Sequence, residues 1–517
     1  MTDLATRSNA RILFGTLLFL AVWEFLGQTT AWGVAMMPAP SRILLQFFAD
    51  RELYWLHGLA TIQTSIIGFA IGTAVAILAA CLFCLLPGLE LAFRGVNIAL
   101  FAMPAIVVGP LLVLFFTGNW PQTILAALMV YFPAMSATLL GLRETDPRLA
   151  DVVTTYGGNR WTMFRHVRLR GSLPSLFAGL RVAAPIAVLG AVLGEFGSGT
   201  RWGLGSFLLS SLPQGNPAKL WGIGLFSSAI ALTGYGIFLL PARRLASTTS
   251  AVTLAALRPS FAATSMRTRL IRLALIAAAF VLPFALWSFG LWLSKLNPII
   301  APGPVQTVQF LFQGHGAAAA RAAIGHALAQ TLPIAALGLI AGLAVAFVLA
   351  ALSVLAPALA RAMLPFAMVA QNMPLVALVP FVVLVFGRGT MASVFMAVIV
   401  VFFPAYVMLN QGFAMVPRAA GDLVSVYGGS RLKRLVFVTV PFSTGHLFAA
   451  ARLVAPQALL GVLLAEWLLS GVGLGNLLNI SRGRLDYDMI WAGALVSILI
   501  SVAAYEAVGL LERTVRR

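Results

Sequence analysis

Apolar stretches of about 20 residues recur along the whole chain, and Thr123–Leu142, "TILAALMVYFPAMSATLLGL", is typical of them. A helix of that length covers roughly 30 Å of hydrocarbon. It also satisfies its own backbone hydrogen bonds where no water can. The stretches lack the ten-residue apolar and polar alternation of membrane-spanning strands. With 60% hydrophobic and only 9% charged residues over 517 positions, the chain has more apolar surface than one soluble core of this size can hide. It therefore reads as an all-α polytopic membrane protein.

Twelve transmembrane helices are expected, near 11–31, 59–86, 95–117, 121–142, 176–196, 221–241, 270–292, 327–353, 363–386, 390–413, 447–468 and 488–510. Between the sixth and seventh lies Pro241–Arg272, rich in Ser, Thr, Ala and Arg, which reads as a linker. The expected division is a first six-helix unit over 1–240, a linker over 241–272 and a second six-helix unit over 273–517. The basic start and apolar run of the N-terminus carry no small-x-small cleavage pattern, so a retained first span is expected.

The two units are copies of one another. "MPAIVVGPLLVLFF" from Met103 aligns with "MPLVALVPFVVLVF" from Met373, and Thr61, Gly68 and Gly72 meet Thr331, Gly338 and Gly342 at the same offset. Arg181 and Glu195 meet Arg452 and Glu466 one residue further on. Separate matches at one spacing mean one duplicated unit. Each unit has an even number of expected spans, so the repeats are parallel.

Most of the 34 basic residues fall on one side of the membrane if both termini are cytosolic, which is the orientation the positive-inside rule selects. That scatter along cytosolic loops also accounts for the net charge of +19 through lipid contact and topology, without nucleic acid.

Two polar sentences stand out against this background: "DVVTTYGGNR" from Asp151 and "DLVSVYGGSR" from Asp422. Each reads as helix, glycine break, helix, on the cytosolic side. The stretch after the first break spaces Trp161, Phe164 and Val167 helically, with Arg160, Arg165 and Arg168 between them. After the second come Leu432, Leu435 and Val438, with Arg431, Lys433 and Arg434. Such a helix can lie on a membrane surface or in a partner's groove, and two copies favour a two-fold partner that grips each unit once.

The loops resemble the cytoplasmic "EAA" loop of permease subunits in binding-protein-dependent ABC importers. Asp151 and Asp422 stand where that family carries glutamate, and Gly157 and Gly428 are its motif glycines, with Tyr156, Gly158, Arg160, Tyr427, Gly429 and Arg431 around them. The alanine pair is replaced by Val152-Val153 and Leu423-Val424, and Pro441 has Arg170 as its counterpart. "NMPLVALVPFVVLVFGRG" from Asn372 and "AEWLLSGVGLGNLL" from Ala465 are similar to the nitrate, sulfonate and taurine branch, with pyrimidine-precursor importers close by. The chain looks like two such permeases fused. The resemblance implies an alternating-access pathway in a bacterial cytoplasmic (inner) membrane for a small organic anion or a pyrimidine-type precursor. It also implies an extracytoplasmic substrate-binding protein and two cytosolic ABC ATPase subunits as partners. The lysines are Lys219, Lys295 and Lys433, none in a phosphate loop, so ATP and Mg are expected on the ATPases, no cofactor on this chain, and no enzymatic activity of its own.

Within the membrane, Glu195 and Glu466 either line the path or cap a neighbouring helix. Arg181 and Arg452 either snorkel to the interface or pair with the loop acids. Glu24 and Glu506 read as structural. Pro104, Pro110, Pro374 and Pro380 are expected to bend the third and ninth spans, which suits a hinged pathway. Cys81 and Cys84 read as packing residues, and the five scattered histidines give no metal-ligand spacing. Two rivals remain from other classes: a twelve-helix secondary transporter driven by an ion gradient, and a membrane enzyme, for which no acid pair or nucleophile set is present.

Overall fold

A computed structural model describes residues 17–30, 37–144, 147–245, 266–314, 316–357 and 378–515. All its regular elements are helical. In the first repeat α1 is Leu17–Thr29, α2 Pro40–Ala49, α3 Arg51–Leu85, α4 Pro87–Ala102, α5 Ala105–Phe115 and α6 Trp120–Arg143. Then come α7 Pro147–Thr155, α8 Arg160–Met163, α9 Leu173–Ser198, α10 Leu204–Ser211 and α11 Pro217–Leu245. The second repeat holds α12 Met266–Ser294, α13 Pro304–Phe312, α14 Ala317–Leu355, α15 Val379–Phe386 and α16 Thr390–Ala414. It ends with α17 Arg418–Val426, α18 Arg431–Arg434, α19 Thr444–Ala465, α20 Gly473–Gly483 and α21 Tyr487–Val515.

Among the described residues nine helices are long and apolar enough to cross a membrane, or ten if α4 and α5 form one span. Twelve were expected. The first of them is represented by the shorter α1, since 11–16 lie outside the described residues, as do 363–377 of the ninth, Pro374 included. At the expected linker, α11 runs on through Pro241 to Leu245 and α12 begins at Met266, so helix covers both of its ends.

Each repeat is built on three packed helices: α3, α6 and α9 in the first, α14, α16 and α19 in the second. Lipid tails are as apolar as these helices, so close van der Waals packing rather than the hydrophobic effect holds them together. Small residues permit it. A Cβ on Gly68 would lie 2.6 Å from the Thr123 carbonyl of α6, and one on Gly342 would lie 2.5 Å from Cγ1 of Val401 in α16. The glycines shared by the two copies thus mark the same helix crossing twice.

The third expected span is not a bent helix. α4 and α5 meet at 104°. Pro104 has no N–H to continue α4, and its ring keeps Met103 extended (φ −66°, ψ 120°). Pro110 lies inside α5 and Pro380 in the first turn of α15, where a missing N–H costs nothing. The break therefore belongs to Pro104; the chain that would show a bend at Pro380 lies, before Leu378, outside the described residues.

The repeats are not side by side without contact. α4 of the first is clasped by α12 and α21 of the second. Gly95 lies directly beneath the Ala279 carbonyl, Phe101 meets Tyr505 edge-on at 5.9 Å, and Arg94 pairs with Glu506 at 3.2 Å. One apolar core cluster runs across this seam, joining Ile106 and Phe196 to Leu463 and Leu464.

Candidate functional site

The two glycine breaks fold alike. After α7, Gly158 N–H donates to the Val153 carbonyl at 2.8 Å and Gly157 N–H to the Thr154 carbonyl at 3.0 Å. After α17, Gly429 and Gly428 donate to Val424 and Ser425 at the same two distances. This pair of bonds is the Schellman helix ending, which needs a left-handed residue: Gly157 has φ +74° and Gly428 φ +70°. The next glycine is required for space, because a Cβ on Gly158 would press on the Val153 side chain and carbonyl, and one on Gly429 on those of Val424.

A new helix then starts on a side-chain cap. The Asn159 carboxamide accepts from Thr162 N–H at 2.9 Å, and the Ser430 hydroxyl from Lys433 N–H at 3.3 Å. Each helix loosens into one π-helical turn, Phe164–Arg168 after α8 and Leu435–Thr439 after α18.

The expected apolar stripe divides between two surroundings. Phe164 and Leu435 are buried in the cores of their repeats, whereas Trp161 stacks on Phe164 at 5.6 Å with its outer face open, and Leu432 is likewise exposed. Tyr156 and Tyr427 are the most open of all, at 88% and 84% exposure. Asp151 and Asp422 lie on the exposed flank of α7 and α17. Arg160 is exposed, and Arg431 reaches the Leu355 carbonyl at the end of α14 at 3.3 Å. Each loop is therefore a hydrogen-bonded corner, anchored from beneath by buried side chains, Phe164 or Leu435 among them, and presenting apolar groups outward.

At the opposite ends of α9 and α19, the two repeated glutamates are each 1% exposed. Glu195 accepts from the Thr61 hydroxyl at 2.7 Å and from Gly205 N–H at 2.6 Å, and Thr61 in turn accepts from Leu204 N–H at 2.8 Å. In the second repeat Glu466 accepts from Thr331 at 2.7 Å and from Gly475 N–H at 2.8 Å, while Leu474 N–H donates to Thr331 at 2.9 Å. Both carboxylates sit at the N-terminus of a short helix, α10 or α20, whose first amides lack helical acceptors. Gly203 and Gly473 let the chain pass over them, since a side chain there would overlap the carboxylate.

One difference separates the copies. Gly203 is held by His57, whose Nδ1 lies 2.8 Å from its carbonyl oxygen, whereas Gly473 N–H donates to Gln330 at 2.9 Å. Thr61 and Thr331 share a repeat offset in the sequence, but their pairing with an acid about 135 positions away is visible only in the fold.

Among the described residues Arg181 and Arg452 form no ion pair with a loop acid. Arg181 lies over the Tyr235 ring at 5.3 Å; Arg452 lies over Tyr505 at 4.1 Å and pairs with Glu506 at 3.4 Å. Cys81 and Cys84 are free thiols packed at the first repeat's core, Cys84 accepting from Arg168 at 3.4 Å.

Between the repeats, below the corner where α5 crosses α9, lies a cavity of about 250 Å³. Its wall includes Arg482, a charge in the short α20 that the sequence presents only as one of two basic residues in "NLLNISRGRL". Neither Glu195 nor Glu466 lines it.

Comparison with known proteins accords with the duplicated architecture. The family described as binding-protein-dependent transport system inner membrane component matches twice, over residues 72–247 and 338–517. A riboflavin transport system permease protein from Chloroflexus aurantiacus is 30% identical over 195 residues, which is 37% of this chain and 72% of that protein. A formylaminopyrimidine transport permease protein from Halalkalibacterium halodurans is 28% identical over 43% of this chain and 86% of its own length. A nitrate import permease protein from Leptolyngbya laminosa is 25% identical over 40% and 66%. Each relative covers less than half of this chain while most of its own length is matched, as expected if two permease units are joined here. With two family matches and a helical membrane fold, the chain belongs to the inner-membrane permease components of binding-protein-dependent ABC importers.

Proposed function

We propose that this chain supplies both permease units of an ATP-driven importer, and that the corners at Gly157 and Gly428 are where two ABC ATPase subunits engage it. The observation that carries this reading is the repetition of one hydrogen-bonded corner, with an exposed tyrosine at its apex, once in each repeat. A corner with a fixed Schellman ending passes a push or pull into α9 or α19 instead of absorbing it, and Phe164 and Leu435 anchor it to the bundle. ATP and Mg would be held by the ATPases, and solute would be delivered by an extracytoplasmic binding protein. Both termini would be cytosolic, the side on which most basic residues then fall. ATP binding can drive transport only if the ATPases contact the corners differently in two states of the pathway.

The solute range supported by the relatives is a small organic or inorganic anion, or a pyrimidine-type precursor. Glu195 and Glu466 fit a positioning role, fastening α10 and α20 beside the pathway without touching solute. Pro104 and Pro110 fit a fixed corner in the wall of that pathway.

Cross-linking tests the reading. Single cysteines at Tyr156 or Tyr427, in a chain with Cys81 and Cys84 replaced by serine, should each cross-link to a copurifying ATPase. An ATPase that copurifies but cross-links from neither position would contradict it.

A further inference from the structure

The cavity between the repeats has two unlike walls. The first repeat contributes Ile106, Phe196 and Leu209; the second contributes Trp467, Asn479 and Arg482, together with two leucines. The asymmetry is written into the duplication. At the offset of 270 that relates Thr61 to Thr331, Asn479 corresponds to Leu209 and Arg482 to Leu212. One wall is thus apolar and the other carries an amide, an indole and a guanidinium.

Among the described residues Arg482 is the only charged side chain in the lining. It donates from one amino group to the Gly197 carbonyl of the other repeat at 3.1 Å. Gly197 is itself fixed, since α9 passes so close to Gly109 and Pro110 that a Cβ there would lie 2.7 Å from the Gly109 carbonyl carbon. That single bond orients the guanidinium and uses one of its five N–H donors. No carboxylate forms an ion pair with it among the described residues. Asp486, four residues beyond Arg482, accepts from Met489 N–H at 3.1 Å, and Glu195 and Glu466, next to Phe196 and Trp467 of the wall, are taken by Thr61 with Gly205 and by Thr331 with Gly475. A half-buried cation without a counter-charge is costly inside a membrane protein, and an anion entering the cavity would complete it.

We propose that this cavity binds a small planar organic anion, with its carboxylate or sulfonate on Arg482 and Asn479 and its apolar body against Phe196, Leu209 and Trp467. An oriented guanidinium matches a planar anionic head with two parallel bonds, and flat aromatic faces suit a ring or planar chain. The site deepens the importer reading and rests on it for its purpose, because a cavity on the seam is where alternating access would expose solute to either side.

The test reads binding by the purified full chain in nanodiscs, so its outcome is independent of whether ATP drives transport. The probes are benzenesulfonate, neutral benzenesulfonamide and cationic benzylammonium, followed by saturation-transfer NMR. Benzenesulfonate should bind in preference to the other two. Arg482→Gln should weaken it by about tenfold or more, the worth of one charged hydrogen-bonded contact, without changing benzenesulfonamide. Arg482→Lys should restore part of the preference, and Arg484→Gln, outside the lining, should leave it intact. If Arg482→Gln does not fold, Leu209→Trp fills the cavity from the apolar side and should abolish binding. Equal binding of the three probes, no binding of benzenesulfonate by the folded chain, a preference unchanged in Arg482→Gln, or one surviving Leu209→Trp would each overturn the assignment. ATP-driven import with no anion preference in the cavity would overturn the site alone and leave the importer reading standing.

Discussion

Arg94 of the first repeat donates to Glu506 of the second at 3.2 Å, and the same carboxylate oxygen accepts from Arg452 at 3.4 Å. This junction lies midway along α4 and in the first half of α19, apart from the residues that line the cavity. Because Arg94 and Glu506 are about half and one-third exposed, the pair is a weak link between the repeats. A double-mutant cycle with Arg94→Ala and Glu506→Ala, read by thermal melting in nanodiscs, should give a coupling below about 1 kcal/mol that shrinks with added salt.

The buried glutamates should behave differently. Removing Glu195 leaves the Gly205 N–H without a buried acceptor, while the Thr61 hydroxyl keeps the His57 carbonyl at 3.3 Å; an orphaned buried donor costs about 1–3 kcal/mol. Glu195→Ala should therefore speed amide exchange at Leu204 and Gly205 by roughly ten- to a hundredfold, and Glu466→Ala should do the same at Leu474 and Gly475. Exchange at these amides that matches the parent chain would show that the carboxylates do not hold α10 and α20.

Within each corner, adjacent glycines should differ in tolerance. A methyl on Gly157 meets no atom within 4 Å, so Gly157→Ala pays only for the left-handed backbone, about 1–2 kcal/mol. Gly158→Leu, by contrast, collides with Val153 and must move α7. ATP-driven uptake should fall modestly in the first variant and vanish in the second, while the melting temperature of the bundle stays near that of the parent. Gly157→Leu together with Gly428→Leu should also abolish uptake.

The two corners are not identical. Trp161 offers a stacked indole where its counterpart offers Leu432, and buried tryptophans are frequent anchors of binding energy. Trp161→Ala should weaken ATPase capture by about 2 kcal/mol, and Leu432→Ala by less, in a pull-down titrated with ATPase.

Much of this architecture was legible because duplication repeats its own evidence. Thr61, Gly68 and Gly72 returning as Thr331, Gly338 and Gly342 revealed the repeat, and the structure places those glycines at equivalent helix crossings. The helix–break–helix form of the corners was also readable, since Gly-Gly after "TTY" and "SVY" permits few other geometries. The 104° corner at Pro104 was not, because a proline specifies a lost donor and a restricted neighbour but no angle. Nor was the division of Trp161 from Phe164, since helical spacing assigns a stripe without saying how much of it the bundle covers. Arg482 is not legible as a wall residue in the sequence, because a basic residue near a span end is ordinarily a topology signal and only the neighbouring repeat turns it into a cavity wall.

The central claim is that two ATPases drive solute through this chain by way of its two corners. The most direct measurement is uptake of the solute carried by the copurifying binding protein, into proteoliposomes holding the complex, with native mass spectrometry of the same preparation. One chain with two ATPases, and uptake that requires ATP and stops in the Gly157→Leu, Gly428→Leu variant, is the predicted result. Uptake by the chain alone on an ion gradient, with no ATPase bound, would contradict it.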